Sequence, residues 1–279
     1  MVWRASILLI ASLSLNAVGQ PARVASLNLC TDQLLVLLAD PNQVASVTWL
    51  SQDSRTSSVA KQSQSFATNT GRFSDIAHLQ PDLVLINSYA AAATRQALQA
   101  LKLATVEIKP AATVAEITTN IRVTAMALGQ TERGNAMITQ MEQDLAAIES
   151  AQAKRNTNAQ PSALILQPNI ITVSSGSLPS HLLIRAGFVP ALQKFSVGYT
   201  NTEAIARLRP DLLILGDHRN KYPSLAEQML DHPLVNQAAA QIKIHAADWI
   251  CGTPRAIAVI SQLDTARRRL TAPSPADSQ

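Results

Sequence analysis

Apolar positions along the chain follow two rhythms. Short apolar runs predict strands at Arg23–Leu29, Val44–Trp49, Asp82–Ile86 and Thr105–Ile108. Between them, apolar residues at helical spacing predict helices. One starts at Thr31-Asp32 and runs through Gln33–Ala39. A short one spans Ser74–Leu79 and is stopped by Pro81, and a third spans Thr94–Leu103. The Ser- and Gln-rich stretch Ser51–Thr70 reads as loop with a short helix. Two longer helices follow, at Thr113–Leu128, closed by Gly129, and at Thr131–Ala153. Alternating strand and helix implies a mostly parallel sheet with helices on both faces.

After a polar linker, Asn156–Pro161, the pattern restarts. Strands are predicted at Ser162–Gln167, with Ile170–Val173 extending the sheet, at Asp211–Leu215 and at Lys243–Ala246. Helices are predicted at Ser180–Ala186, ended by Gly187, at Thr202–Leu208, ended by Pro210, at Leu225–Leu230 and at Pro254–Arg269. The restart carries an internal echo. DIAHLQPDLVLI (75–86) matches AIARLRPDLLIL (204–215) at Ile, Ala, Leu, Pro, Asp and Leu. The plainer explanation is that helix–Pro–strand junctions resemble one another in any α/β protein. The favoured one is α/β architecture in two Rossmann-like lobes with mostly parallel sheets, joined by a single long helix. The expected organisation is a lobe at 20–130, an interlobe helix at 131–155, a second lobe at 156–270 and a disordered tail at 271–279.

Composition narrows the field. The chain has 279 residues, 47% hydrophobic and 15% charged, enough apolar material for a real core. The net charge of +4 is small and no Lys/Arg cluster is interleaved with aromatics, so nucleic acid is not an expected partner. The first 19 residues read as a secretory signal. Arg4 precedes the apolar run Ala5–Leu15, and Ala17-Val18-Gly19 is a small-x-small cleavage site. The competing reading is a membrane anchor, but the run is short for a bilayer that needs roughly 20 residues. No cysteine lies near the cleavage site, so the expected product is a soluble extracytoplasmic protein rather than a lipoprotein.

Several segments in order resemble one family. They are the opening RVASLNLCTDQLL, the two PDL strands, Gly176-Ser177-Leu178 followed by Leu182-Leu183 and Ala186-Gly187, then Ser224-Leu225-Ala226, and the closing Trp249-Ile250-Cys251-Gly252. Together, from Arg23 to about Arg269, they resemble the periplasmic substrate-binding proteins whose lobes are joined by one rigid helix and which serve ABC importers of iron chelates and cobalamin. The resemblance implies a monomeric receptor with no cofactor of its own. It would bind a metal chelate between its lobes and pass it to an inner-membrane ABC permease. A helical connection implies small closing motions. The opening and closing motifs are closest to cobalamin-type members, which puts cobalamin first, with a ferric siderophore or haem next.

In that family the ligand lies between the lobes, in keeping with the rule that open α/β sheets bind ligands beyond the carboxyl ends of their strands. The rule selects Cys30, Thr31, Trp49, Asn87, Ser88 and Tyr89 on the first lobe. On the second it selects Pro168, Asn169, Gly216, Asp217 and His218, with Tyr199, Trp249 and Cys251. Aromatic faces suit a flat macrocycle. The competing role for Trp49 and Tyr89 is core packing, while Trp249, in the irregular Asp-Trp-Ile-Cys-Gly, is favoured as cleft-lining. For haem, Tyr89, Tyr199 and His218 are the axial candidates. The family also presents one carboxylate per lobe to permease arginines. Glu203 matches that place. In the first lobe Ser74 stands there, with Asp75 beside it as the substitute. Helix N-terminal charge is the other role for both acids.

Cys30 and Cys251 have three readings. They are buried thiols first, a disulfide across the lobes second and metal ligands last. His78, His181, His218, His232 and His245 are scattered, and only His218 adjoins a strand-end carboxylate, so a free Zn or Mn receptor is the alternative rather than the main expectation. The sequence lacks the nucleophile-elbow, dinucleotide, P-loop and zincin motifs, which disfavours an enzyme. A Cys30 nucleophile and an exported partner-binding domain stay open.

Overall fold

The computed structural model describes residues 20–155, 160–173, 175–192, 198–199, 201–216, 224–233, 235 and 240–272. The expected signal at 1–19, Asp217, His218 and the last seven residues of the expected tail lie outside them.

The first lobe runs through β1 (Val24–Ser26), α1 (Leu29–Leu38), β2 (Val44–Thr48), α2 (Ala60–Ser63), β3 (Thr68–Asn69), α3 (Phe73–Ile76), β4 (Leu83–Asn87), α4 (Ala92–Ala100), β5 (Thr105–Ile108) and α5 (Val114–Leu128). Its strands are all parallel, in the order β3-β2-β1-β4-β5. The chain winds outward from β1 in both directions, so β1 and β4 form a topological switch point. α6 (Thr131–Ala153) follows, then β6 (Ser162–Gln167), β7 (Ile171–Thr172), α7 (Leu178–Arg185), β8 (Val189–Pro190), β9 (Gly198–Tyr199), α8 (Thr202–Leu208), β10 (Leu212–Gly216), α9 (Leu225–Gln228), β11 (Ala240–Ile244), α10 (Ala246–Trp249) and α11 (Arg255–Thr271). In the second sheet β11, β10, β6 and β8 are parallel, while β7 runs antiparallel to both of its neighbours, β6 and β9.

Several elements differ from the expectation. β1 ends early because Asn28 caps α1, its Oδ1 accepting from the Cys30 amide at 2.9 Å. α1 therefore starts at Leu29, two residues before the expected helix start, and takes in Cys30 as well as Thr31. The Ser- and Gln-rich stretch holds the small strand β3, and β11 lies earlier than Lys243–Ala246 because His245 caps α10. α11 extends to Thr271, into the stretch expected to be tail.

The echoing segments adopt the same local structure. In each, a short helix ends on a left-handed residue, Gln80 (φ 46°) or Arg209 (φ 42°), followed by Pro81 or Pro210. The next residue then clamps the start of its lobe's first strand. Asp82 accepts from the Ala22 and Arg23 amides at 2.7 and 3.0 Å, and Asp211 accepts from the Ser162 amide at 2.7 Å. The recurrent Pro-Asp thus encodes a backbone stop and a strand clamp in both lobes.

One apolar cluster runs through both lobes. It includes Leu34, Leu35, Ile117 and Ile121 from the first, Met141 of α6, and Leu182, Ile214 and Leu263 from the second. Smaller clusters cover the outer sheet faces. α5 and α6 pack closely because Gly134 has no side chain: a Cβ there would stand 2.4 Å from the Ala125 Cβ. Gly134→Leu is expected to lower the unfolding free energy by about 1–3 kcal/mol through overpacking, read by urea denaturation. An unchanged midpoint would mean that the helix pair can part freely.

Candidate functional site

The carboxyl ends of the two sheets face a cleft of about 660 Å³. From the first lobe it is lined by Trp49 and Leu50, in a 3₁₀ turn (Trp49–Gln52) that directly follows β2, and by Asp53, Arg55 and Thr56 in the next turn. From the second lobe come Gln167, Pro168, Asn169 and Ile171 around the β6–β7 connection, and Ser224 and Glu227 of α9. Its size falls in the range of small-molecule sites, roughly 300–1,000 Å³.

Trp49 is 52% exposed, so it is a wall residue and not core. Beside it Arg55 folds back onto Asp53, with Nε 2.9 Å from each carboxylate oxygen and Nη2 at 2.6 Å. Hydrogen bonding to Asp53 holds the guanidinium proton more tightly than usual, with a small further pull from Glu227 in the opposite lobe. Glu227 belongs to a capping box. It accepts from the Ser224 amide and hydroxyl at 2.7 and 2.9 Å, which fixes the start of α9 at the cleft edge. Asn169 adopts a left-handed conformation (φ 62°) in the turn after β6, as Asn tolerates better than most residues. Gly216, at the end of β10, is where Gln167 leans in: a Cβ would meet its Oε1 at 2.9 Å.

The other selected residues separate into groups. Asn87, the last residue of β4, and Tyr89 just beyond it stand together, the Asn87 Oδ1 accepting from the Tyr89 amide at 3.0 Å, outside the lining of the 660 Å³ cleft. Tyr89 is 81% exposed. Tyr199 lies in β9 opposite Ile171 of the cleft lining. Thr31 is fully buried, its hydroxyl 2.7 Å from that of Ser26. Trp249 is placed differently from the sequence reading. It is 3% exposed and packs in the apolar cluster shared by both lobes, because α10 turns the chain inward directly after β11.

Cys30 and Cys251 are also a correction: they are disulfide-bonded, with Cα atoms 5.1 Å apart, rather than free thiols. The bond joins the first turn of α1 to the segment after α10. Gly252 in that segment sits against Ala111 and Ile117 of the first lobe. The lobes are therefore tied twice, by α6 and by this bond.

Asp75 accepts from the Thr70 amide at 2.8 Å and from the hydroxyls of Thr70 and Ser74. These bonds, Thr70's first, hold its carboxyl below the usual carboxylate range. Glu203 is exposed in the first turn of α8. Among the described residues no three His, Cys, Asp or Glu side chains converge as a metal site, and no helix is long and apolar enough to cross a membrane. His181 is partly buried in α7, and burial lowers its pKa from 6.5.

Sequence reasoning missed Leu50, Asp53, Arg55, Thr56, Gln167, Ile171, Ser224 and Glu227. Only the last two carried a readable sign, the Ser-x-x-Glu spacing of a capping box. The 53–56 turn lay inside a polar stretch whose residues lack any periodicity.

Comparisons with known proteins agree with this architecture. No curated protein sequence matches. Among solved structures, the chain is similar to a periplasmic haem-binding protein RhuT from Roseiflexus sp. RS-1 in apo form. The two share 19% identity and a TM-score of 0.71 over 90% of this chain and 99% of that one. A periplasmic haem-binding protein BhuT in complex with two haems gives 18% identity and a TM-score of 0.74, over 91% and 100%. A periplasmic vitamin B12-binding protein BtuF of Vibrio cholerae gives 17% identity and a TM-score of 0.72, over 91% and 99%. At these identities the likeness establishes the shared two-lobe fold. The sequence itself matches the family model described as periplasmic binding protein over residues 24–247. The chain is thus a member of the periplasmic binding protein family, a family of substrate-binding transport proteins rather than of enzymes.

Proposed function

We propose that this protein captures a metal chelate (cobalamin, a ferric siderophore or haem) in the interlobe cleft and delivers it to an inner-membrane ABC permease. The observation that carries this reading is the cleft itself. It opens at the strand ends of both lobes, with an exposed indole, Trp49, beside the apolar side chains of Leu50, Pro168 and Ile171. An aromatic face suits a corrin, a porphyrin or an aromatic chelator. The names of the solved relatives, which bind haem or vitamin B12, support the same class. Cobalamin remains first, on the opening and closing motifs. The protein acts as a soluble periplasmic monomer released from its signal at 1–19, without a lipid anchor.

The test is a thermal-shift and absorbance titration with cyanocobalamin, haemin and a ferric siderophore panel. A specific ligand at 100 times its Kd adds about 2.7 kcal/mol of apparent stability. Trp49→Ala is expected to weaken that ligand by about 2 kcal/mol, or roughly thirtyfold, as for a central aromatic contact. No shift with any of the three classes would reject the chelate reading while leaving the family intact. For delivery, Asp75 and Glu203 are the proposed permease contacts. Asp75→Asn with Glu203→Gln should cut uptake in reconstituted vesicles and leave ligand affinity unchanged.

A further inference from the structure

Behind the first-lobe wall of the cleft stands a buried carboxyl that contacts no ligand-facing surface. Asp32, in the first turn of α1, is 0% exposed. Its Oδ2 accepts from the Thr48 amide at 3.1 Å and from the Thr48 hydroxyl. Thr48 is the last residue of β2 and the cap of the turn that begins with Trp49. Its carbonyl in turn accepts from the Ser51 hydroxyl at 2.8 Å, so every polar backbone or side-chain group of Thr48 is held. The neighbouring Gln33 accepts from the Ser58 amide and hydroxyl at 3.3 and 2.5 Å. Asp32 and Gln33 of α1 thus grip both ends of the segment 48–58 that carries Trp49, Asp53 and Arg55.

We propose that Asp32 is a positioning residue for the cleft: through Thr48 it sets the orientation of Trp49, and it does so according to its own charge. This rests on the cleft being the ligand site, and adds to it a control that the ligand does not touch.

The charge state matters because the carboxyl is incompletely solvated. Oδ1 is buried and has no hydrogen-bond partner among the described residues. Burial raises the pKa to about 7, against the opposing hydrogen bonds from Ser26 and Thr48. Other charges stand away from it. β1, β2, the 3₁₀ turn and β4, which pack on α1, carry no ionisable side chain. α5 brings Glu116, spent on its own capping box, and Arg122, which is exposed. The Cys251 segment brings Asp248 and Arg255, which pair with each other at 2.8 Å. The ionised carboxylate therefore relies on Ser26 and Thr48 for its support, and protonation weakens the hold on Thr48 by removing the charge from its hydrogen bonds.

The experiment needs no ligand, so its outcome is separate from that of the chelate titrations. Acrylamide quenching of Trp49 is measured from pH 5 to pH 9 as the difference between the full chain and Trp49→Phe. Trp49 should become less quenchable as pH rises, with a midpoint near 7. Asp32→Asn, which keeps an acceptor for Thr48 without the charge, should abolish the midpoint and hold Trp49 at its low-pH accessibility. Thr48→Val, which deletes the hydroxyl, should raise accessibility at high pH and shrink the transition. A flat wild-type profile, or a midpoint that survives in Asp32→Asn, overturns the proposal. Circular dichroism on each variant excludes global unfolding as the cause.

Discussion

Removing the Cys30–Cys251 bond, by a Cys30→Ala/Cys251→Ala double variant or by a dithiol reductant, should lower the unfolding free energy by up to about 5 kcal/mol. The size follows from the separation of the two residues, 221 positions along the chain. A cross-link over so long a loop removes much freedom from the unfolded chain, and the chain-entropy relation rises with the logarithm of loop length. Cys251 is 1% exposed and lies in a well-packed segment, so the folded state already holds the sulfurs close and reduction need not move them far. Urea denaturation of oxidised and reduced protein gives the difference directly. Each single variant should match the double within the small packing cost of a lost sulfur, because either one breaks the bond. Coincident midpoints for oxidised and reduced protein would mean that the unfolded chain gains nothing from release.

Stability should also fall as pH rises from about 4 to about 7, by an amount on the order of 4 kcal/mol from Asp32 alone. The folded protein holds the Asp32 proton until about pH 7, whereas the unfolded chain releases it near the ordinary aspartate value of 3.8. Within that window the folded state binds more protons, so each unit of rising pH subtracts from its stability. Asp40, Asp75 and Glu107 have lowered pKa values, through Arg133, Thr70 and Arg95 respectively, and act below the window, where acid removes their contribution. His181, lowered by burial, opposes the trend near pH 6, because the unfolded chain then binds the extra proton. Urea midpoints for wild type, Asp32→Asn and His181→Gln across pH 4–8 separate the two. Asp32→Asn should flatten the profile and be the more stable protein at pH 8. An equal slope in Asp32→Asn would place the proton elsewhere.

What the sequence disclosed follows from how local each signal was. The buried strands β4, β6 and β10 and the helices α5, α6 and α8 stand within a residue or two of their expected bounds. Their edges are written in proline, glycine and capping residues, which act within one turn. β3, β8 and β9, two residues each, were illegible because so short a strand is defined by its partners and not by its own pattern. The cleft was half readable. The strand-end rule reached Trp49, Pro168 and Asn169, whereas Asp53 and Arg55 owe their place to the grip of Asp32 and Gln33 on a stretch with no periodicity of its own. Trp249 and the cysteines failed for one shared reason. A segment that crosses from one lobe into the other has its environment decided by residues far away in sequence.

That crossing has a consequence for the order in which the molecule assembles. The surface of the first lobe at Ala111 and Ile117 is closed by Gly252, and the first turn of α1 by Cys251, near the far end of the chain. A chain delivered from its N-terminus can pair β1 through β5 early, yet that half stays unsealed until the final helix arrives. Contacts of such high sequence separation slow the closing step of folding. Truncation before Cys251 should therefore leave the first lobe open to proteases at its α1–α5 seam, even though every strand of that lobe is present.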